Sequence, residues 1–365
     1  MQIALICNSP FGTDGISMFV INNHRYFNRQ DATYHLIYSS IHGSKDTASY
    51  YIHDFCRHGD KAAYFSKAEG IWAYARQLYR YLRNEHIDVI HVNGSSASIL
   101  TEIIVAKCSR VKRIIAHSHN TQSNHNRIHR LLRPFVTILA DERLACGNKA
   151  GHWMYGRRAG FTVVPNGIDT ASFRFNAALR AEVRKELSIN ETQVVIGHVG
   201  YFGTVKNHIL LLHILKALKN EGLTNYRLIL IGDGELKPQI QQESIDMGIS
   251  DSILFLGNRN DVPRIMMAMD LFCLPSLYEG FPIVAIEAQA AGLQTLISSN
   301  VSSEVCTTSL VKQLPIDLGV AAWCKAIKQA STSTGARAEY ADKIKTAGYD
   351  IHVSARMLEN KYFNK

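Results

Sequence analysis

Residues 274–292 read LPSLYEGFPIVAIEAQAAG, and the rest of the chain is best read outward from them. The apolar run LFCLP that leads in has the character of a buried strand ending in a loop. Gly280 permits close backbone approach, and Pro282 suits the first turn of a helix. This places Glu279 in the loop. Glu287, with seven residues between the two, faces out of the helix about a turn and a half further on. The free N–H groups at such a helix start form an anion site, with carboxylates beside it for hydroxyl groups. Taken only for its spacing, the same stretch is a strand, a capped helix and two solvated glutamates, because carboxylates mostly lie at surfaces. The other segments have to decide.

A chain of 365 residues exceeds one ordinary core and implies two domains. Seven cysteines are scattered without a Cys-x-x-Cys pair, which argues against a disulfide framework and a zinc site. The N-terminal apolar segment IALIC is strand-length and lacks a basic leader, unlike a signal peptide. No run approaches the ~20 apolar residues of a membrane span. A cytoplasmic protein is expected. Charge is divided unevenly. Residues 1–165 carry 20 Lys+Arg against 11 Asp+Glu, whereas residues 166–365 carry 20 of each. A basic first half implies an anionic partner. No nucleic-acid module is present, so acidic lipid or a phosphorylated acceptor is the expected partner; a basic surface kept for solubility is the plain alternative.

The first half alternates strand and helix patterns. Residues 2–7 form an apolar strand, and the Gly12–Gly15 loop leads to a helical period at Ile16, Phe19, Val20 and Asn23. The loop is not Gly-x-Gly-x-x-Gly, so a dinucleotide site is weakly supported. Strands are expected over 34–38, 89–92, 113–116, 142–146 and 161–164, with helices over 70–85 and 95–108. This alternation predicts a parallel sheet covered by helices, with ligands at the strands' carboxyl ends. One such end reads His117-Ser118-His119-Asn120. Two histidines two residues apart could join a metal site, but no third ligand follows at fixed spacing. In residues 125–140, Ile128, Leu131, Leu132 and Phe135 share a helical face, Arg127, Arg130 and Arg133 lie beside it, and Pro134 should kink or restart the helix. That segment could lie on a membrane surface, or be a helix with its apolar face on the sheet.

The hexapeptide Val164-Pro165-Asn166-Gly167-Ile168-Asp169 enforces a turn, and a helix is expected near 178–187. A second strand series begins at 194–200 and runs into Tyr201-Phe202-Gly203-Thr204-Val205-Lys206-Asn207, a strand–loop–Lys–helix layout suited to phosphate. Strands at 226–231 and 254–257 follow, ending in Gly232-Asp233-Gly234-Glu235 and Asn258-Arg259-Asn260-Asp261-Val262. Residues 350–362 read as a capped helix.

These ordered segments resemble the retaining glycosyltransferases of family 4, of the two-domain GT-B fold. PSLYEGFPIVAIEA is similar to their Glu-x7-Glu signature and VPNGID to the string that leaves their first domain. RIIAHSHN, CGNKAGHWMYG and EAQAAGLQTLISSNVSSEV resemble exopolysaccharide and capsule members. The resemblance implies that Glu279 contacts donor-sugar hydroxyls, that the backbone of Gly280, Phe281 and Pro282 meets sugar and phosphate, and that Glu287 holds the ribose. It further implies Lys206 on the diphosphate, Arg259 in the loop beside the base, Gly15 toward the donor phosphates, and His117, or failing that His119 with Asn120, near the sugar and acceptor. Two positions depart from the pattern. Asp14 replaces a glycine, where its charge would repel phosphate unless it turned away, and Tyr201 replaces an arginine that grips the diphosphate.

The fold expected is therefore α/β: two Rossmann-like domains with parallel sheets facing a cleft. The expected division is a first, acceptor-binding domain over 1–165, a linker over 166–190, a nucleotide-sugar domain over 191–348, and a helix over 349–365 crossing back to the first domain. The implied reaction moves a sugar, with retention, from a nucleotide-sugar (UDP-linked is expected) to a glycan or lipid-linked glycan at the inner membrane face. No Asp-x-Asp motif occurs, and no cofactor or metal is expected. Two rivals are a GT-B sugar epimerase, disfavoured by the glutamate signature, and a non-catalytic partner subunit, suggested by Tyr201 and Asp14.

Overall fold

The computed structural model describes residues 1–9, 11–12, 14–28, 31–40, 45–121, 126–330 and 335–363, with 45–47 as backbone alone. The chain divides into two compact units, Met1–Gly167 with Ile351–Lys365, and Ile168–Asp350.

Among the described residues the first unit has seven strands: β1 (Gln2–Cys7), β2 (Thr33–Tyr38), β3 (Lys61–Tyr64), β4 (Val89–Gly94), β5 (Arg113–Ser118), β6 (Glu142–Ala145) and β7 (Thr162–Val163). They form one parallel sheet in the order β3-β2-β1-β4-β5-β6-β7. Its helices are α1 (Gly15–Arg25), α2 (Lys45–Cys56), α3 (Ile71–Asn84), α4 (Leu100–Cys108), α5 (Asn126–Leu139) and α6 (Asn148–Tyr155). The two-residue period sends Ile114 and Ala116 of β5 to a core shared with α3, α4, α5 and α6, and Ile115 to a core shared with α1 and α2. The second core also takes Ala355, Leu358 and Tyr362 from the chain's last helix. The expected helix over 95–108 is a 3-10 turn, Ala97–Ile99, followed by α4. The helix does not restart at Pro134: α5 is one helix that contains it.

The second unit contains α7 (Ala177–Glu186), β8 (Val194–Val199), α8 (His208–Asn220), β9 (Tyr226–Ile231), α9 (Lys237–Asp246), β10 (Ile253–Gly257), α10 (Val262–Ala268), β11 (Leu271–Leu274), α11 (Ile283–Ala290), β12 (Gln294–Ser298), β13 (Val311–Leu314), α12 (Gly319–Gln329) and α13 (Glu339–Ile344). Its strands form a parallel sheet in the order β10-β9-β8-β11-β12-β13. Residues 168–190 belong to this unit and are not a free-standing linker. Arg180 and Arg184 of α7 pair with Asp270 at 2.6 and 3.3 Å, and Asp270 also accepts from the Val195 amide at 2.7 Å. This buried ion pair and its backbone hydrogen bond fix the helix to the head of β8 and β11. α14 (Ile351–Phe363) then returns the chain to the first unit.

Candidate active site

In both sheets the strand order reverses beside the first strand of the unit, between β1 and β4 and between β8 and β11. Such switch points open crevices at the carboxyl ends, because the loops leaving the two strands turn to opposite faces.

In the second unit those two loops carry Lys206 and Glu279. Gly200 follows β8, and the loop closes in a 3-10 turn, Thr204–Lys206, before Asn207 takes left-handed backbone at φ 53°. Left-handed backbone is tolerated by Asn better than by most residues. The Asn207 side-chain amide donates to the Pro275 carbonyl at 3.2 Å, and the Leu277 amide donates to Val205 at 2.8 Å. These bonds lace the loop after β8 to the loop after β11. Lys206 Nζ is thereby brought onto Glu279 Oε1, which also accepts from Ser276 Oγ at 3.1 Å. Both charged side chains are largely buried, at 18 % exposure. The Glu279 carbonyl accepts from the Ser302 amide at 3.2 Å, which ties the loop to the segment after β12.

Beneath Lys206 lie His198 and His208. His198 Nδ1 donates to the Cys273 carbonyl at 2.8 Å, and the rings of His198 and His208 meet edge-on at 4.7 Å. Burial, helped by the lysine's charge, pushes His198 down to about 3; burial, then His198 and Lys206, pushes His208 down to about 2. Both are neutral at physiological pH, so they add no charge beside Lys206.

The helix α11 starts at Pro282, an N-cap whose side chain accepts nothing, so its first-turn N–H groups have no side-chain cap. Gly280 and Phe281 approach this end, and the Phe281 ring stacks on Tyr349 at 5.7 Å between centroids. Glu287 lies half-buried on α11, its carboxylate has no hydrogen-bond partner among the described residues, and burial raises its carboxyl to about 7. Arg259, after β10, forks onto Asp261 at 2.8 and 2.7 Å and holds that carboxyl below its usual range. Tyr201 folds its ring over Gly203, with ring carbons 3.0 and 3.1 Å from where a β-carbon there would stand.

In the first unit the Asp14 carboxylate has turned away from the loop's open side. It caps α1, accepting from the amides of Ile16 at 3.0 Å and Ser17 at 3.4 Å, from Ser9 Oγ at 3.1 Å and from Ser17 Oγ. Gly15 begins the helix immediately behind it. His117, the closer match by register, is fully buried, and His119 is partly exposed. The two belong to one chain of contacts. Tyr362 and His91 Nδ1 are 2.7 Å apart, His91 Nε2 and His117 Nδ1 3.1 Å, and the His117 and His119 rings 4.1 Å; His119 Nε2 donates to Asn93 Oδ1 at 2.9 Å. Burial holds His91 and His119 near 3 and His117 well below its usual value. Asn120 is half-exposed and accepts from the Thr121 amide at 2.8 Å.

The structure thus joins Lys206 and Glu279 directly. It sets Arg259, the Gly280–Pro282 segment and Glu287 at their own places in the same unit, and keeps Gly15, His117, His119 and Asn120 in the other. Sequence reading missed Ser276, His91, Asn93 and Tyr362. The signal available for two of them was polar His91 and Asn93 at alternate positions of the otherwise apolar strand VIHVNG.

Comparison with known proteins agrees with this architecture. A family model described as Glycosyltransferase Family 4 matches residues 13–172, and one described as Glycosyl transferases group 1 matches residues 180–347. The Bacillus subtilis protein EpsF, whose glycosyltransferase assignment is provisional, is 32 % identical over 71 % of this chain and 70 % of its own length. The Escherichia coli UDP-Gal:alpha-D-GlcNAc-diphosphoundecaprenol alpha-1,3-galactosyltransferase is 28 % identical over 63 % of this chain and 62 % of its own. Among solved structures, Anabaena HepE in complex with UDP superposes with a TM-score of 0.79 over 100 % of both chains at 17 % identity. The chain belongs to the family 4, group 1 glycosyltransferases of the GT-B fold, with bacterial polysaccharide and capsule enzymes as its relatives.

Proposed function

We propose that this transferase moves a sugar from a UDP-sugar, with retention at the anomeric carbon and without a metal, to a lipid-linked glycan in polysaccharide assembly. The observation that carries the reading is the meeting of Lys206 and Glu279 at the β8/β11 switch point, in the same strand-end region as the uncapped start of α11. A diphosphate leaving group needs positive charge placed in advance, and a lysine with a helix N-terminus supplies it. When donor arrives, Lys206 passes to the phosphate and Glu279 is released to accept from sugar hydroxyls. Glu287, without a protein partner, accepts from the ribose, and Arg259 lines the base side.

Glu279 is held by a cation and a serine hydroxyl, a binding environment and not that of a free nucleophile. This favours retention in which the leaving phosphate takes the acceptor's proton. UDP is supported by the ligand of the Anabaena neighbour, and a lipid-linked acceptor by the name of the Escherichia coli relative. His119 and Asn120 are the first-unit residues we assign to sugar or acceptor.

Release of nucleotide from a panel of UDP-, GDP- and dTDP-sugars tests the reading. Turnover of a UDP-sugar is expected, with proton NMR showing an unchanged anomeric configuration in the transferred sugar. Lys206→Ala should lower turnover about 10- to 100-fold, the loss of one charged hydrogen bond of roughly 1.5–3 kcal/mol. Undiminished turnover in that variant would refute the site. A second reading, a non-catalytic partner subunit, is favoured by the absence of the arginine at Tyr201; it predicts silence across the panel and no thermal stabilisation by UDP.

A further inference from the structure

The helix α5 packs Leu132, Val136 and Leu139 inward and turns four other apolar residues outward. Its buried residues are His129 and Val136, whereas Ile128, Leu131, Phe135 and Ile138 are 57, 70, 52 and 76 % exposed. At about 100° per residue these four fall within an arc of about 80°. Arg127 and Arg130 are exposed on one side of that arc, about 20° and about 80° beyond its edge, and residues 126–140 contain no acidic residue. This corrects the sequence alternative in which the apolar face of the segment covered the sheet.

The neighbouring helices continue the pattern. Tyr74 of α3, Ile103 of α4 and Val136 of α5 share one core, so the three helices form one layer on one face of the first sheet, with α4 touching both others. On the outside of that layer α3 exposes Ile71, Tyr79 and Trp72, the last at 86 %, and α4 exposes Ile104. Arg76 and Arg80 of α3 are exposed among them. Scattered single apolar residues on a surface need no explanation, but four within one arc of α5, with more on the other two helices of its layer, do.

Three kinds of occupant could cover such a surface: a second copy, another protein, or a bilayer. An isologous dimer would pair this patch with itself, bringing one cationic surface against another. A bilayer with acidic headgroups offers the complementary charge, and takes up an indole, phenyl and aliphatic side chains at the same depth. The cationic excess of residues 1–165 has the same sense.

We propose that the outer face of the α3–α4–α5 layer lies on an anionic lipid bilayer, with Leu131, Phe135, Ile138 and Trp72 inserted and Arg127 and Arg130 at the headgroups. This rests on the proposed function only in that a lipid-borne acceptor would be met there; the binding itself needs no sugar. The test is sedimentation of the full chain with phosphatidylcholine vesicles, with and without phosphatidylglycerol. Binding to the phosphatidylglycerol vesicles is expected to be at least about tenfold tighter, and to weaken as salt is added. The double variants Leu131→Ser/Phe135→Ser and Arg127→Glu/Arg130→Glu should each lose about tenfold or more of it. Their side chains are exposed, so thermal unfolding and nucleotide release should match the parent chain; if the serine pair alone shifts the unfolding, the charge pair decides. Binding to neither vesicle, equal binding to both, or variants that bind like the parent would overturn the proposal, as would a parent dimer that the serine pair converts to monomer. Vesicle failure with intact nucleotide release overturns this surface alone, whereas the reverse outcome bears only on the enzymatic reading.

Discussion

Glu287 is the residue whose environment makes the sharpest demand. Its carboxyl titrates near 7, above the ordinary value of about 4.3, because burial disfavours the charged form. A raised carboxyl makes folding cheapest where the group is protonated in both states. This residue's contribution to stability is therefore most favourable below about pH 4.3, declines as pH rises toward 7, and is level above that. Glu287→Gln should remove the decline and raise unfolding free energy at pH 8 by about 1–2 kcal/mol, a figure reduced for partial exposure. A ligand whose hydroxyls donate to this carboxylate favours its charged form. UDP binding should then release a proton near pH 7 and strengthen between pH 6 and 8. Calorimetry in two buffers of different ionisation enthalpy measures that proton directly; none released, with UDP bound, removes Glu287 from the ribose.

At the scale of elements, Asp14 shows how a departure from a motif can be absorbed. A helix start attracts anions, and here the chain supplies its own, so α1 is stabilised at the expense of any phosphate near it. Asp14→Gly should cost about 1–2 kcal/mol, chiefly the acceptor lost by Ser9 and Ser17, since glycine is tolerated at an N-cap. If the loop after β1 approaches the donor phosphates, as the family resemblance implies for Gly15, UDP-sugar affinity should rise about two- to fivefold in the same variant, read by titration calorimetry. Which elements were legible in the sequence follows a similar local logic. β8, β9 and β11 are apolar runs closed by loop residues, and their sequence reads directly as buried strand. β3 escaped, because KAAY is a half-exposed edge strand without alternation. α5 was legible as amphipathic, but no pattern along a helix says which of its faces meets the sheet. Lys206 and Glu279 were each visible at a strand end; that β8 and β11 are neighbours is a property of sheet order, which the local pattern does not carry.

At the scale of the whole molecule, five histidines have their pKa values lowered chiefly by burial. His91, His119 and His198 sit near 3, His208 near 2 and His35 near 4, each lowered mainly by burial, and together they occupy both units. In the unfolded chain each would titrate near 6.5. Folded pKa values below the unfolded ones mean that the unfolded chain binds more protons once pH falls under 6.5. The stability these sites allow is thus fully present above that pH and is lost as pH falls from about 6.5 toward 3, at up to about 1.4 kcal/mol per pH unit for each histidine. Several such sites in each sheet's surroundings make acid unfolding steep, well before the carboxylates are protonated. Unfolding midpoints in urea, measured from pH 8 down to pH 4, should be level above 7 and drop sharply below 6. The first unit has an added liability, because Tyr362 of the last helix ends on His91, so protonating the histidine chain acts against the helix that closes that core. Tyr362→Phe should keep the core apolar yet remove that polar tether, and the His91 ring resonances should shift in NMR at neutral pH. A midpoint that stays level down to pH 4 would mean that these rings are hydrated and titrate normally, and that the first sheet is more open at its carboxyl edge than its packing implies.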